Sequence, residues 1–125
     1  MILQDSFYFI KSQHQLDQSI AAIIEFNPDH EIFKGHFPGN PVTPGVCMIQ
    51  IIREFIESVF NIQVSLINAN EIKFLSMIVP TLNKEVHIDI QYKIEQQDIM
   101  TVNASIFHED VIFFKFKGKF LTSQN

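Results

Sequence analysis

Residues 44–60 are the segment that most restricts how this chain can fold. Thr43 can cap a helix, and Pro44 suits a first helical position because its missing N–H costs nothing there. Most of the following positions up to Phe60 are apolar, and at about 100° per residue they cover a wide arc of the helix. The remaining polar stripe consists of Gln50, Arg53, Glu54 and Glu57. The sequence therefore predicts a mostly buried helix that other elements must surround.

The other elements are predicted to be strands. They cover residues 6–11, 18–26, 63–76, 84–94, 99–107 and 111–121. Residues 84–94 alternate apolar and polar side chains, and residues 111–121 place phenylalanines opposite lysines, which is typical of a sheet packed on one face. Residues 27–43 are predicted as turn and loop. The order of elements indicates an α+β fold in one domain, residues 1–125, with an antiparallel sheet curled around the helix.

Composition and charge exclude several classes of protein. The net charge is −5, and the one basic run, Lys115, Lys117 and Lys119, alternates with phenylalanines. This argues against a nucleic-acid interface, which needs a basic patch. Charged residues make up only 18% of the chain, so we expect part of the surface to be buried in an oligomer.

Cysteine and histidine usage argues against a metal site or a cofactor. Cys47 is the single cysteine, so no intrachain disulfide can form, and we expect a small buried apolar residue. His14, His30, His87 and His108 are predicted to be surface residues. No secretory signal and no stretch of about 18 apolar residues is present. We therefore expect a cytoplasmic protein without a membrane span.

The stretch from Gly35 to Val46, "GHFPGNPVTPGV", carries the chemistry. Its prolines stiffen a loop that holds His36, and histidine is the side chain best suited to move a proton near neutral pH. The helix start that follows supplies backbone N–H groups that can stabilise a developing negative charge. Gly45 would let a substrate approach those groups closely.

The same stretch resembles the signature of the β-hydroxyacyl-acyl carrier protein dehydratases, which have the hot-dog fold. The resemblance implies that His36 removes the proton α to a thioester carbonyl. It also implies that the Gly45 N–H binds the thioester oxygen and that the Val42 carbonyl orients the histidine ring. Phe37 and Val46 are expected to line the substrate site.

The resemblance further implies partners and a pathway. The substrate would be a 3-hydroxyacyl group on the phosphopantetheine of an acyl carrier protein, and the acyl chain would lie between two subunits. We therefore expect a homodimer or a larger assembly of dimers. The pathway would be fatty-acid synthesis or the synthesis of a specialised acyl chain.

Gln50 departs from the family signature, which has a carboxylate at this position. A glutamine can orient a hydroxyl or a water, but it has no proton to give. Three interpretations follow: a dehydratase-like lyase in which His36 moves both protons, a thioesterase in which Gln50 positions water, and a non-catalytic acyl-binding or partner subunit. Glu54 lies one turn further along, but we expect Arg53, Glu54 and Glu57 to form a solvated or inter-subunit polar edge.

Overall fold

The computed structural model describes residues 2–35, 42–95 and 98–123. Its strands are β1 (Tyr8–Leu16), β2 (Ser19–Phe26), β3 (Gln63–Phe74), β4 (Glu85–Ile94), β5 (Ile99–His108) and β6 (Val111–Ser123). Its helices are α1 (Glu31–Gly35) and α2 (Gly45–Phe60). The six strands form one antiparallel sheet in the order β1-β2-β4-β5-β6-β3.

The long helix α2 packs against one face of this sheet. Its buried side chains include Met48, Ile52 and Phe55, and they belong to a single apolar cluster with the inward side chains of the strands. The predicted α+β architecture, an antiparallel sheet with one long helix, is confirmed. It is the hot-dog arrangement that the motif implies.

The strand faces follow the alternation in the sequence. Met100, Val102, Ala104 and Ile106 of β5 are all buried. In β6, Phe114, Phe116 and Phe120 are buried opposite the lysines. Period-two alternation places successive side chains on opposite faces, so a sheet with one buried face can be predicted from sequence alone.

Helix α2 begins one residue later than predicted. Pro44 is the N-cap, with φ −65° and ψ 144°, and Gly45 is the first helical residue. Thr43 therefore does not cap the helix, and its buried hydroxyl has no hydrogen-bond partner within the described part of the chain. The helix ends at Asn61, which adopts the left-handed conformation that asparagine tolerates and donates its backbone N–H to the Glu57 carbonyl.

Helix α1 lies in the segment predicted as loop. It has only five residues, too few for a helical pattern to show in the sequence. Its position is set by Phe33, which stacks on Phe7 with ring centroids 4.8 Å apart. His30 precedes it and accepts a hydrogen bond from the Ile32 N–H through Nδ1 at 3.1 Å.

Two of the histidines predicted to lie on the surface are partly buried. His30 also packs edge-on against Phe7, and His87 stacks on Phe107 with centroids 5.4 Å apart. His14 and His108 are exposed, as predicted.

The two edges of the sheet differ in character. Among the described strands β3 pairs with β6 alone, and it exposes Leu66, Ile67 and Phe74. β1, at the opposite edge, carries mainly polar side chains after Ile10. A long apolar edge strand is a template for pairing with another chain, whereas polar side chains discourage it.

Candidate active site

The start of α2 forms the centre of the candidate site. The first N–H groups of any α-helix have no partner within the helix. None of the described side chains caps this end, and the Cys47 N–H donates to the Pro44 carbonyl at 3.1 Å. The helix dipole adds a partial positive charge at the same end. The N-terminal end of α2, which begins at Gly45, is thus suited to bind a partly negative oxygen.

The phenyl ring of Phe74 lies directly beside Gly45. A Cβ atom at position 45 would come within 2.6 Å of Phe74 Cζ, so a side chain there would collide with the ring. A side chain at position 45 would therefore force the Phe74 ring, at the end of β3, to shift. The predicted approach of a substrate to Gly45 stays a prediction. Phe74 is 55% exposed and also packs against Phe114.

The other predicted site residues are only partly within the described structure. His36 and Phe37 lie outside the described residues. Val42 is half-buried two residues before the N-cap, and Val46 is 67% exposed at the first turn of α2. Because Val46 is apolar and accessible, it is available to contact an apolar ligand at this end of the helix.

Gln50 lies on α2 five residues after Gly45, about 7.5 Å further along the helix axis. Its side chain is half-buried, and Nε2 donates a hydrogen bond to Glu54 Oε2 at 2.9 Å. This is a contact between residues one helical turn apart, which share a face of the helix. The predicted site residue therefore has a defined neighbour.

Glu54 corrects the expectation of a solvated polar edge. Its side chain is buried, with the residue only 8% exposed. Beside the Gln50 amide, its carboxylate accepts hydrogen bonds from the Leu3 N–H at 2.7 Å, the Gln4 N–H at 2.9 Å and the Tyr8 hydroxyl at 3.0 Å. A buried carboxylate is tolerated when such donors satisfy it.

These four contacts also exclude one possible role for Glu54. An ionised carboxylate offers about four acceptor positions, and the four donors occupy them. All four partners act as donors, so the described contacts leave neither Glu54 oxygen free to bind a substrate. Glu54 does not replace the carboxylic acid that is missing at position 50.

The pKa values of two groups near Glu54 are raised. Burial, and secondly the Glu54 charge, raise the pKa of the Tyr8 hydroxyl well above its ordinary value, so Tyr8 stays neutral. Burial and the same charge raise the pKa of the Cys47 thiol. A thiol with a raised pKa is a poor nucleophile, so the site has no cysteine chemistry at this position.

The other grooves found on the described surface lie away from α2, and one of them is lined by residues that include His14, His87 and Asp89. Residues 2–35, 42–95 and 98–123 contain no group of three or more His, Cys, Asp or Glu side chains that could hold a metal. A groove of about 460 Å³ lies on the polar outer face of the sheet, between side chains such as Lys73, Asp89 and Lys117, and no α2 residue lines it. Neither described helix has the length and apolar character needed to cross a membrane.

Sequence reasoning identified Gln50 but missed its surroundings. Glu54 is four residues from Gln50, and this spacing was a usable signal of their contact. Its other partners, Leu3, Gln4 and Tyr8, are 46 to 51 residues away in sequence. No local pattern points to contacts over such a separation.

Comparison with known proteins agrees with the fold and the motif. The dehydratase complex ApeI:P from Xenorhabdus doucetiae superposes with a TM-score of 0.73 at 20% identity, covering 90% of this chain and 96% of that one. A hypothetical thioesterase with coenzyme A from Streptococcus pneumoniae has a TM-score of 0.65 at 9% identity, covering 99% and 94%. At these identities the likeness shows the hot-dog fold, which dehydratases and thioesterases share.

Sequence comparison is more specific but shorter. The 3-hydroxyacyl-acyl-carrier-protein dehydratase FabZ of Pediococcus pentosaceus is 46% identical over 37 residues, which are 30% of this chain and 25% of that protein. The segments matched in the curated relatives cover only 9% and 25% of their lengths.

The family as a whole is defined by a longer match. The sequence model of the ApeI-like family, described as ApeI dehydratase, matches residues 12–113. This range includes the His36 motif, all of α2 and most of the sheet. The chain therefore belongs to the ApeI-like dehydratase family.

Proposed function

We propose that this protein dehydrates 3-hydroxyacyl thioesters, with His36 as both acid and base. The observation that carries the proposal is the start of α2. A helix end that no described side chain caps, with a closely packed glycine, comes nine residues after His36 in the sequence. Such an end is suited to the charge that develops on a thioester oxygen when the α-proton leaves.

In the proposed reaction the two protons pass through one side chain. His36 removes a proton from C2, and the electron pair moves into the C2–C3 bond through an enolate-like state. The thioester oxygen of that state would be stabilised by the Gly45 N–H and the helix dipole. The C3–O bond breaks, and His36 returns the proton to the departing hydroxyl, so that water and a 2-enoyl thioester are formed.

Gln50 would hold the hydroxyl rather than protonate it. Its amide does not ionise in the working pH range and cannot act as a general acid, so its contribution is orientation. Proton transfer by a positioned group is worth roughly 10²–10⁴ in rate. We therefore expect slower turnover than in a dehydratase that has a carboxylic acid at this position.

The partners are part of the same proposal. The acyl group would be carried on the phosphopantetheine of an acyl carrier protein in the cytoplasm. Two copies of the chain would pair through the apolar edge strand β3, or form a larger assembly of such dimers. The exposed Ile67 and Phe74 on that edge support this arrangement. The FabZ relative is named for an acyl-carrier-protein substrate, and the ApeI:P structure is named a heterocomplex, so a second type of subunit is the other arrangement to test.

The experiment measures formation of the 2-enoyl thioester from a 3-hydroxyacyl carrier-protein substrate. The purified chain is compared with His36→Ala and with His14→Ala, which changes an exposed histidine on β1. We expect activity in the wild type and in His14→Ala, and a background rate in His36→Ala. Equal rates in the wild type and His36→Ala would refute the proposed chemistry.

A further inference from the structure

We propose that Glu54 is a positioning residue that fixes the orientation of the Gln50 amide, and thereby decides which Gln50 atom meets the substrate. The catalytic consequence rests on the proposed function, since it concerns the substrate hydroxyl. The geometry itself rests on hydrogen bonds within the described structure.

The chemistry of the pair leaves one orientation. Toward Gln50 the Glu54 carboxylate acts as an acceptor, so the end of the amide that faces it must be the N–H end. Nε2 is the atom found there, 2.9 Å from Oε2. A flipped amide would place two oxygens in contact and lose the bond. The carbonyl Oε1 is consequently turned to the other side of the group.

Glu54 can act as a fixed reference because it is itself held. Its other contacts come from the Leu3 N–H, the Gln4 N–H and the Tyr8 hydroxyl. These groups belong to the N-terminal segment and β1, so the carboxylate is held by a different part of the chain from the helix that carries it. The terminal torsion of a free glutamine is broad and roughly two-fold, and this network removes that freedom from Gln50.

The orientation of the Gln50 amide determines which hydrogen bond it can make to a hydroxyl group. With one Nε2 hydrogen bound to Glu54, Oε1 faces away from the carboxylate, and we infer that Oε1 accepts the hydrogen of the substrate 3-hydroxyl. An acceptor at this position aligns the C3–O bond without supplying a proton. This division of labour requires His36 to return the proton, as the proposed function states.

The test uses Glu54→Gln, which keeps the shape of the side chain but removes its charge and one acceptor oxygen. It is made in the wild type and in a Gln50→Ala background, and kcat and KM for the 3-hydroxyacyl substrate are measured. In the wild type we expect kcat to fall by about tenfold to a hundredfold with KM changed by less than about twofold. In the Gln50→Ala background the same substitution is expected to leave kcat unchanged.

Two further variants separate positioning from stability. Tyr8→Phe removes a hydrogen bond from Oε1, whereas Gln50 binds Oε2. The Leu3 and Gln4 N–H groups still hold the carboxylate in this variant, so we expect a lower melting temperature but an unchanged kcat. Glu54→Asp keeps the carboxylate but moves it away from Gln50, because the side chain is shorter. This variant is used in place of Glu54→Gln if Glu54→Gln does not fold. An equal loss of kcat in both backgrounds, or no loss in either, would overturn the proposal.

A spectroscopic measurement keeps the inference separate from the proposed function. The side-chain amide signal of Gln50 in a ¹H–¹⁵N spectrum is assigned by its disappearance in Gln50→Ala. We expect it to move in Glu54→Gln and to stay in place in Tyr8→Phe. If the wild type is inactive but this pattern is seen, the positioning stands and the proposed reaction fails. An unmoved signal in Glu54→Gln overturns the positioning, whatever the activity.

Discussion

Gln50 and Glu54, one helical turn apart, divide between them what a single acidic residue could do at position 50. Glu54 has the carboxylate, but it is buried and bound to four donors. Gln50 is nearer the helix start, but it has only an amide. The site thus contains a carboxylate that serves the fold and an amide that can orient a substrate.

Replacing Gln50 by glutamate tests whether the site has lost only its acid. The new carboxyl would lie within hydrogen-bond distance of Glu54, and two carboxylates this close do not both ionise readily. One proton shared between the two carboxyl groups would relieve their repulsion and would be available to the departing hydroxyl. We expect Gln50→Glu to increase the dehydration rate by ~10²–10⁴.

The control for this variant is Gln50→Met, which is similar in size but cannot donate a proton. Initial rates of dehydration over a range of pH compare the two variants with the wild type. A rate in Gln50→Glu that is no higher than in Gln50→Met would show that position 50 does not reach the departing hydroxyl.

Gly45 and Phe74 allow a test of the close contact at the helix start. Alanine is favoured over glycine within helices by roughly 0.5–1 kcal/mol, but here its Cβ would meet the Phe74 ring at 2.6 Å. Because overpacking costs about 1–3 kcal/mol, we expect Gly45→Ala to lower the free energy of unfolding. In a Phe74→Ala background the same change should raise it. Denaturant unfolding of the wild type, the two single variants and the double variant measures the effect of Gly45→Ala on the free energy of unfolding in each background. A change of the same sign in both backgrounds would contradict the contact.

At the scale of elements, the N-terminal segment and α2 are joined through the Glu54 carboxylate. Tyr8, the first residue of β1, donates to it and is fully buried. Its hydroxyl must stay protonated to remain in place. Because the pKa of this hydroxyl is raised in the folded state, the free energy of unfolding is expected to fall at alkaline pH.

The sign of that dependence follows from proton binding. Above the ordinary tyrosine pKa of 10.0, Tyr8 loses its proton in the unfolded chain but keeps it in the folded one. Stability is therefore fully present below this pH and is lost as the pH rises above it, by up to about 1.4 kcal/mol per pH unit. Between about pH 9 and about pH 11, which bracket the ordinary tyrosine pKa, the free energy of unfolding is expected to fall less in Tyr8→Phe than in the wild type.

Tyr92→Phe is the matched control, because Tyr92 is the other tyrosine of the chain and packs against Phe60 at the end of α2. It should retain the alkaline loss seen in the wild type. If Tyr8→Phe retains it as well, the Tyr8 hydroxyl is not the group responsible.

Much of the element order could be predicted, because the physics behind it is local. Helix α2 and the strands β4 to β6 show clear periodicity, and each buries one face. Helix α1 was missed because five residues do not complete two turns, and its place depends on the stacking of Phe33 on Phe7. The extension of β1 to Leu16 was missed because its edge position leaves few side chains to bury.

The candidate site was predictable to a different degree at each residue. The motif identified the helix start and Gly45, where backbone geometry constrains the sequence. The burial of Glu54 was not predictable, because a charged residue on a polar stripe is normally solvated and its partners here lie at the other end of the chain. The roles predicted for the site residues all stay predictions: His36, Phe37, Val42, Gly45, Val46 and Gln50.

At the scale of the whole molecule, the apolar edge of the sheet indicates where a second copy would bind. Lysine at position 67 would place a charge on the exposed edge strand β3, where Ile67 is 48% exposed. We expect Ile67→Lys to weaken the dimer, since charges on edge strands oppose pairing. Leu16→Lys changes an aliphatic side chain that is 62% exposed on the opposite edge, and it should leave the dimer intact.

Sedimentation at micromolar concentration compares these variants with the wild type. A wild type that is a stable folded monomer under these conditions would contradict the proposed dimer. Equal weakening by both substitutions would show that β3 is not the interface.

The identity of the reaction product tests the central claim most directly. The wild type is incubated with a 3-hydroxyacyl carrier-protein substrate, and the carrier protein is analysed by mass spectrometry. We predict the loss of one water with the acyl thioester still attached, and no such loss with His36→Ala. Release of a free carrier thiol would instead show a thioesterase, and an unchanged substrate that is nevertheless bound would show a non-catalytic acyl-binding subunit. Either result would contradict the proposal that this site carries out the elimination.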